Sequence, residues 1–174
     1  MALVARGGEA DSALVGVEAL FRSDYRRLVG LARLLVDDPG QAEEVVQDAF
    51  VALHRDWHRL RAPGAAPAWL RQAVVNGSRG RLRKRATARK HLKVVEPSLA
   101  GGPDEGAVLA DEHAAVARAL RALPDRQRAC LALRFYDDLT EVQIAEALGI
   151  STGSVKTHVH RGMAALTAAL EDLR

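Results

Sequence analysis

The chain has 174 residues, of which 48% are hydrophobic, 27% charged and 4% aromatic, and its net charge is +3. A hydrophobic fraction of this size is typical of a folded chain and excludes general disorder, while few aromatics beside abundant Ala, Leu and Arg favour helices. No apolar run approaches the roughly 18 residues of a membrane span, and the first nine residues lack the apolar stretch of a signal peptide, so we expect a soluble, cytoplasmic protein.

Helical periodicity predicts a first long helix from about Ser12 to Val36, preceded by a disordered N-terminus over residues 1–11. The Asp-Asp-Pro-Gly sequence of residues 37–40 ends this helix. A second helix is predicted from about Gln41 to Leu60, with one apolar stripe along its length. Its opposite face is acidic and polar and carries Glu43, Glu44, Gln47 and Asp48.

A loop rich in proline and glycine, from Ala62 to Pro67, precedes a third helix that is predicted from near Ala68 to at least Arg85. Residues 63–95 contain nine Lys or Arg and no acidic residue, which points to a polyanionic partner such as DNA, RNA or membrane phosphate. A solvated helix face is the alternative explanation for this basic run. Polar residues three and four apart form one exposed stripe on the helix, namely Gln72, Asn76, Arg79 and Arg83.

Residues 95–106 contain two prolines and three glycines without any periodicity, which predicts a flexible linker. The predicted architecture is therefore all-α, with two small helical domains joined by this linker. The expected bounds are 12–92 for the first domain, 93–108 for the linker and 109–174 for the second domain. Four shorter helices are predicted near 107–122, 125–135, 141–148 and 152–170.

The stretch from Thr140 to Leu170 has the pattern of a helix-turn-helix. Thr140 is predicted to cap a short helix together with Gln143, and Gly149 supplies the left-handed conformation that ends it. Ser151 is then predicted to cap the next helix. The buried stripe of that second helix is expected to be Val155, Val159, Met163, Leu166 and Leu170.

The other face of this second helix presents short polar and cationic groups that can reach base edges or phosphates in a major groove. The alternative is a helical hairpin whose outer face is only solvated. Caps, turn and polar face agree with one another, which favours binding to DNA. The residues of this face are Gly153, Ser154, Thr157, His160 and Arg161, with Lys156 on its flank.

Enzymatic functions have little support in the sequence. His54 and His58 have a spacing that suits a metal, but no third ligand accompanies them, so two surface histidines are favoured. Phosphate-binding glycine loops and nucleophile motifs are absent from the sequence. Cys130, the single cysteine, lies on an apolar helix face and is expected to be packed. We predict no catalytic residue, no metal site and no cofactor.

In their order and spacing these segments resemble the extracytoplasmic-function (ECF) group of bacterial sigma factors in the sigma-70 family. Residues Gln41–Phe50 are similar to the family's region 2.2, and Pro67–Asn76 with the following arginine run is similar to regions 2.3 and 2.4. Residues 123–128 and Leu139–Leu166 resemble region 4. The bias of 21 Arg to 4 Lys indicates a GC-rich genome, such as that of an actinobacterium.

The resemblance implies a sigma factor that binds core RNA polymerase, recognises −35 and −10 promoter elements and assists strand opening. An anti-sigma partner that masks both domains is also implied. Docking on the clamp helices of the polymerase would involve Glu43, Glu44, Gln47, Asp48 and Phe50. Contacts to the −10 element would involve Gln72, Asn76, Arg79, Arg83 and Lys84. Contacts to the −35 element would involve Ser154, Lys156, Thr157, His160 and Arg161.

Two departures from the family pattern keep rival functions open. The loop from Ala62 to Pro67 has few side chains that could hydrogen-bond an extruded base, and Gly77 is expected to weaken the third helix by about 1 kcal/mol relative to alanine. The alternatives are a stand-alone helix-turn-helix regulator that binds operator DNA as a dimer and an interaction protein that melts no DNA. The acidic face of the second helix, which is expected to lie apart from the basic helix, favours the sigma factor.

Overall fold

The computed structural model describes the backbone of residues 2–91 and 107–171 and the side chains of residues 13–38, 40–84 and 114–171. The regular structure of these residues is entirely helical. A first unit contains α1 (Ala2–Leu35), α2 (Pro39–Asp56) and α3 (Ala66–His91), with single 3₁₀ turns at Trp57–Arg59 and Pro63–Ala65 between α2 and α3. A second unit contains α4 (Ala107–Ala122), α5 (Asp125–Phe135), α6 (Glu141–Leu148) and α7 (Thr152–Glu171). Residues 92–106, which include most of the predicted linker, lie outside the described residues.

The helices of the first unit are longer at their N-terminal ends than the sequence predicted. The first helix begins at Ala2, where a disordered terminus was expected over residues 1–11. The two glycines carry the largest penalties against a helix before Ser12, at about 1 kcal/mol each, and no proline interrupts the segment. Helix α2 begins at Pro39 because the Asp38 side chain caps it, accepting a hydrogen bond of 3.0 Å from the Gly40 amide.

The core of the first unit gives Gly77 a packing role that the sequence did not reveal. Leu53, Leu70 and Val74 are fully buried where α1, α2 and α3 meet. A Cβ atom at Gly77 would lie 3.1 Å from a methyl carbon of Val45, so the glycine is the point at which α3 approaches α2 most tightly. Gly77 therefore lowers the helix propensity of α3, as expected, but it also allows α2 and α3 to pack closely.

The local signals in the second unit predicted its helices to within one residue. Thr140 and Gln143 form a full capping box at the start of α6, and Gly149 ends that helix with a φ of 62°. The Ser151 hydroxyl accepts a 3.1 Å hydrogen bond from the Ser154 amide at the start of α7. The predicted helix-turn-helix is therefore confirmed.

The stripe of α7 that was predicted to be buried is only partly so, since Val159, Leu166 and Leu170 are half-buried. Val155 is fully buried, but the Met163 side chain, expected inside, is 38% exposed. Gly162 is buried in its place, because a Cβ atom there would lie only 3.1 Å from Leu131 of α5. The absence of a side chain lets α7 approach α5 closely, and Met163 is left at the edge of the contact.

The two units pack against each other, whereas the sequence predicted only a tether between them. Leu31 and Leu35 of α1 and Val75 of α3 share one apolar core with residues of α5, α6 and α7. Within the described ranges, α1 contacts α4 and α5, and α3 contacts α6. No periodicity in the sequence of either unit carries this information, because the contact joins segments about 100 residues apart.

Candidate nucleic-acid and protein interfaces

Helix α7 presents its predicted recognition face to solvent. Lys156, Thr157, His160 and Arg161 are exposed, and Ser154 is half-buried. The Lys156 ammonium lies 3.7 Å from a Glu141 carboxylate oxygen and remains 68% exposed, so this ion pair is loose. The face can therefore enter a groove without rearrangement of the second unit.

The hydroxyl groups at the start of α7 are held by the helix itself. Ser154 Oγ lies 2.9 Å from Ser151 Oγ, and the Thr157 hydroxyl donates a 3.0 Å hydrogen bond to the Gly153 carbonyl. These bonds fix the side-chain rotamers and leave acceptor lone pairs of the hydroxyl oxygens unused. Short side chains in the first turn allow close approach of the helix to a base edge.

Five residues of α3 are predicted to contact the −10 element. Four of them are exposed, namely Gln72, Asn76, Arg83 and Lys84. Arg79 is half-buried, which corrects the expectation of a fully exposed stripe. It lies against the second unit, where burial lowers its pKa below the ordinary value and Arg126 and Arg83 lower it further. The side chains of the basic run beyond Lys84 lie outside the described residues.

The acidic face of α2 contacts the basic helix directly, so the expected separation of the two is wrong. Arg81 of α3 donates to the Glu44 carboxylate and, at 2.9 Å, to Asp48. The hydrogen bond to Glu44 is the main reason why the pKa of Arg81 is raised. Glu44 and Asp48 remain 64% and 76% exposed, so a partner's cations could take the place of Arg81.

Phe50 is a core residue and not part of the exposed docking face, which corrects the prediction for this position. Only 5% of Phe50 is accessible, because α1 covers it with Phe21 and Tyr25. The Phe21 and Phe50 rings meet edge to face with centroids 5.2 Å apart. Phe21, at 45% exposure, and Val51, at 70%, are the apolar side chains that reach the surface near this position. In the sequence, Phe21 fits the apolar periodicity of α1. Periodicity alone does not tell whether such a side chain lies inside the core or at its exposed edge.

The loop before α3 has no side chain that could hydrogen-bond a base. Ala62, Pro63, Gly64 and Ala65 are all exposed, and the loop closes on itself through a 2.9 Å bond from the Ala65 amide to the Ala62 carbonyl. Reading of an extruded base by backbone groups of this loop stays a prediction.

The histidine pair and the cysteine that the sequence singled out lie in different surroundings. His54 and His58 are both exposed, and within the described part of the chain no cluster of three or more His, Cys, Asp or Glu could hold a metal ion. Cys130 is fully buried, as predicted, and burial raises the pKa of its thiol to about 11. None of the described helices is long and apolar enough to cross a membrane.

An apolar groove runs along the boundary of the two units. It encloses about 310 Å³ between α1, α4, α5 and α7. Its rim exposes Phe135, Tyr136 and Met163, with Phe135 accessible over 62% of its surface. Exposed aromatic and Met side chains of this kind are enriched in protein interfaces.

Comparison with known proteins finds two family models along the chain. The model "Sigma-70 region 2" matches residues 20–88, and the model "Sigma-70, region 4" matches residues 113–166. The RNA polymerase sigma-E factor of Streptomyces coelicolor is 30% identical over 154 residues, covering 88% of this chain and 85% of that protein. The ECF RNA polymerase sigma factor SigM of Mycobacterium tuberculosis is 32% identical over 153 residues, with 88% and 76% covered.

Solved structures agree with this fold. The structure of CnrH in complex with the cytosolic domain of CnrY has a TM-score of 0.68 and 25% identity, covering 94% of this chain and 95% of that one. The sigma factor RpoE of Bartonella quintana, in complex with the anti-sigma factor NepR, has a TM-score of 0.65 at 20% identity and covers 94% and 97%.

Proposed function

Because the chain belongs to the ECF sigma factors of the sigma-70 family, we propose that three of its helix faces carry out the separate steps of promoter recognition. The protein binds core RNA polymerase and directs promoter-specific transcription initiation. The observation that carries the proposal is the presence, on one chain, of an acidic helix beside a basic helix and of a capped helix-turn-helix with an exposed polar face.

Helix α7 reads the −35 element in the major groove. The exposure of Lys156 and Arg161 supports this assignment, since a guanidinium or an ammonium can bind guanine edges or the flanking phosphates. Ser154, Thr157 and His160 complete the reading face. We also assign Arg134 and Thr140, which are exposed outside α7, to contacts with flanking phosphates.

Helix α3 contacts the −10 element and its melted strand. Gln72 and Asn76 supply amides that can pair with base edges, and Arg83 and Lys84 supply cations for the phosphates. Arg79 belongs to the same stripe, but its position against the second unit means that it becomes fully available only when the units separate.

Helix α2 docks on the polymerase through Glu43, Glu44, Gln47 and Asp48. All four side chains are exposed, and Glu43 is held only weakly, 3.4 Å from Arg33. The carboxylates that pair with Arg33 and Arg81 are more than half exposed, so water screens these ion pairs and basic groups of the polymerase can replace the two arginines.

Capture of purified core RNA polymerase by the tagged full chain tests the docking face. We expect stoichiometric capture by the wild type and loss of capture in the double variant Glu44→Lys, Asp48→Lys. The matched control is Glu18→Lys, Glu146→Lys, which makes the same charge change at exposed positions elsewhere. Circular dichroism must show equal helix content for all chains.

Each result of this experiment has a defined meaning. Capture that resists the charge reversal would contradict the assignment to α2. A folded wild-type chain that captures no polymerase would contradict the function itself and would favour a stand-alone regulator of operator DNA.

The remaining proposals concern the setting of the protein. We assign the two domains to residues 12–92 and 109–174. The protein acts in the cytoplasm. It contributes promoter recognition, while the polymerase performs the chemistry. An anti-sigma factor is the expected regulatory partner. Support comes from the similar sigma structure solved in a complex and from the apolar groove along the boundary of the units.

A further inference from the structure

The contact between the two units is centred on one buried carboxylate. Asp137 follows α5, and its side chain is completely buried. It accepts a hydrogen bond from Arg27 Nη1 of α1 and a second from Arg71 Nε of α3. Two helices of the first unit therefore hold one residue of the second.

The two arginines are themselves held in position. Arg71 is only 18% exposed, and Arg27 donates a further bond of 2.7 Å to Asp24 one turn before it on α1. Burial by itself would lower the pKa of Arg27, but Asp24 and Asp137 raise it above the ordinary value. A buried carboxylate with two organised guanidinium partners is far more costly to break than an exposed ion pair.

Two further contacts fit the units together on either side of Asp137. The hydroxyl group of Tyr136 lies where a Cβ atom at position 30 would be, so only glycine leaves room for it on α1. Arg128 of α5 is buried and donates to the Leu35 carbonyl at 3.3 Å and to Asp37 at 3.1 Å. Arg128 also donates to the Arg121 carbonyl in its own unit, so this one side chain ties the C-terminal ends of α1 and α4 to α5.

This closed arrangement is incompatible with simultaneous binding to two promoter elements. Elements centred near −35 and −10 lie about 25 base pairs apart, or about 85 Å along B-DNA at 3.4 Å per base pair. A compact chain of this length has a radius of gyration of about 16 Å, so its recognition faces cannot span that distance. The half-burial of Arg79 against the second unit also covers part of the face proposed for the −10 element.

We propose that Arg27, Asp137 and Arg71 form a latch, and that the free protein is held closed by it until the units separate to engage polymerase and promoter. The socket that Gly30 provides for Tyr136 completes the latch. Opening exposes Asp137 and both arginines to water and frees Arg79. The inference rests on the proposed function, since it is the two-element promoter that demands an open chain.

Small-angle X-ray scattering of the full chain without polymerase tests the latch. In the variant Asp137→Asn we expect the radius of gyration to increase about 1.3-fold as two compact bodies separate. Asp138→Asn is the matched control, because it removes the same charge at the adjacent exposed position, where asparagine tolerates the φ of 51°. This control is expected to scatter like the wild type.

A second pair of variants decides the matter if Asp137→Asn does not fold. Gly30→Ala favours the helix yet removes the space for Tyr136, and we expect the same expansion. Its control is Gly80→Ala on α3, where no described atom outside the helix's own backbone lies within 4 Å of the added Cβ. A folded Asp137→Asn chain that is as compact as the wild type would overturn the proposal. If Asp137→Asn is unfolded, a compact Gly30→Ala chain would overturn it instead.

Transcription separates failure of the latch from failure of the proposed function. With core polymerase, Asp137→Asn is expected to reach half-maximal initiation at a chain concentration about threefold or more below that of Asp138→Asn, since a closed population no longer opposes binding. Absence of initiation with every variant would contradict the proposed function. The latch would still be tested by the scattering measurement, which does not depend on polymerase. Initiation that is normal in a still-compact Asp137→Asn chain would contradict the latch alone.

Discussion

We propose that single side chains on α7 determine how the −35 element is read. Arg161→Ala removes an exposed guanidinium that can bind two acceptors of one guanine, and a lost contact of this kind costs about 1–3 kcal/mol. We expect retention of a promoter duplex by the holoenzyme to weaken about 5- to 150-fold. Thr167→Ala, at an exposed position farther along the same helix, is the control and should leave retention unchanged. Equal retention by the two variants would remove Arg161 from the reading face.

Cys130 allows a second measurement at the scale of one residue. The thiol is fully buried, and because burial raises its pKa to about 11 its thiolate fraction at pH 8 is about 100-fold below that of an ordinary thiol. We expect a thiol reagent to modify the native chain at least about 100-fold more slowly than the chain in denaturant. Fast modification of the native chain would contradict the packing of α5 described above, since Cys130 lies at its centre.

Helix ends are the features that the sequence predicts best. The capping box at Thr140, the left-handed Gly149 and the Ser151 cap each depend on residues three or four positions apart. Hydrogen bonds of this kind depend only on nearby residues, so the bounds of α6 and the start of α7 could be predicted. The start of α1 was predicted poorly because glycine near a terminus is only a weak signal against a helix.

The turn between α6 and α7 makes a prediction about stability. Gly149→Ala places a Cβ atom in the left-handed region, which costs about 1–2 kcal/mol. Gly80→Ala adds the same methyl group in a regular and uncrowded part of α3, where it is expected to stabilise by up to about 1 kcal/mol. Urea denaturation measures both, and opposite shifts of the midpoint are expected. A Gly149→Ala chain as stable as the wild type would contradict the glycine cap.

At the scale of the whole molecule, the contact between the units was beyond reach of the sequence. Asp137, Arg27 and Arg71 are each ordinary charged residues in their own segments, and nothing local marks them as partners. The same holds for Tyr136 and Gly30, which are more than 100 residues apart. Phe50 and the separation of the acidic face of α2 from α3 were misjudged for a related reason, because periodicity tells which face of a helix is apolar but not which neighbour covers it.

A candidate surface was predicted better when it depends on a single helix than when it depends on packing between helices. The reading face of α7 follows from one helix and its cap, and four of its five predicted residues are exposed as expected. The acidic face of α2 depends on the packing of α3 beside it, which adds the unexpected ion pairs of Arg81. The account of the whole molecule therefore joins a predictable pair of helical units to an unpredicted closed arrangement between them.

Initiation by core polymerase on a fragmented genomic library, with mapping of the RNA 5′ ends, is the most direct test of the protein as a sigma factor. With the wild-type chain we expect start sites that share a −35 and a −10 motif at a fixed spacing, and with Lys156→Ala, Arg161→Ala we expect the −35 motif to lose its information. If addition of the chain leaves the start sites of core polymerase unchanged, the protein is not the promoter-recognition subunit described here.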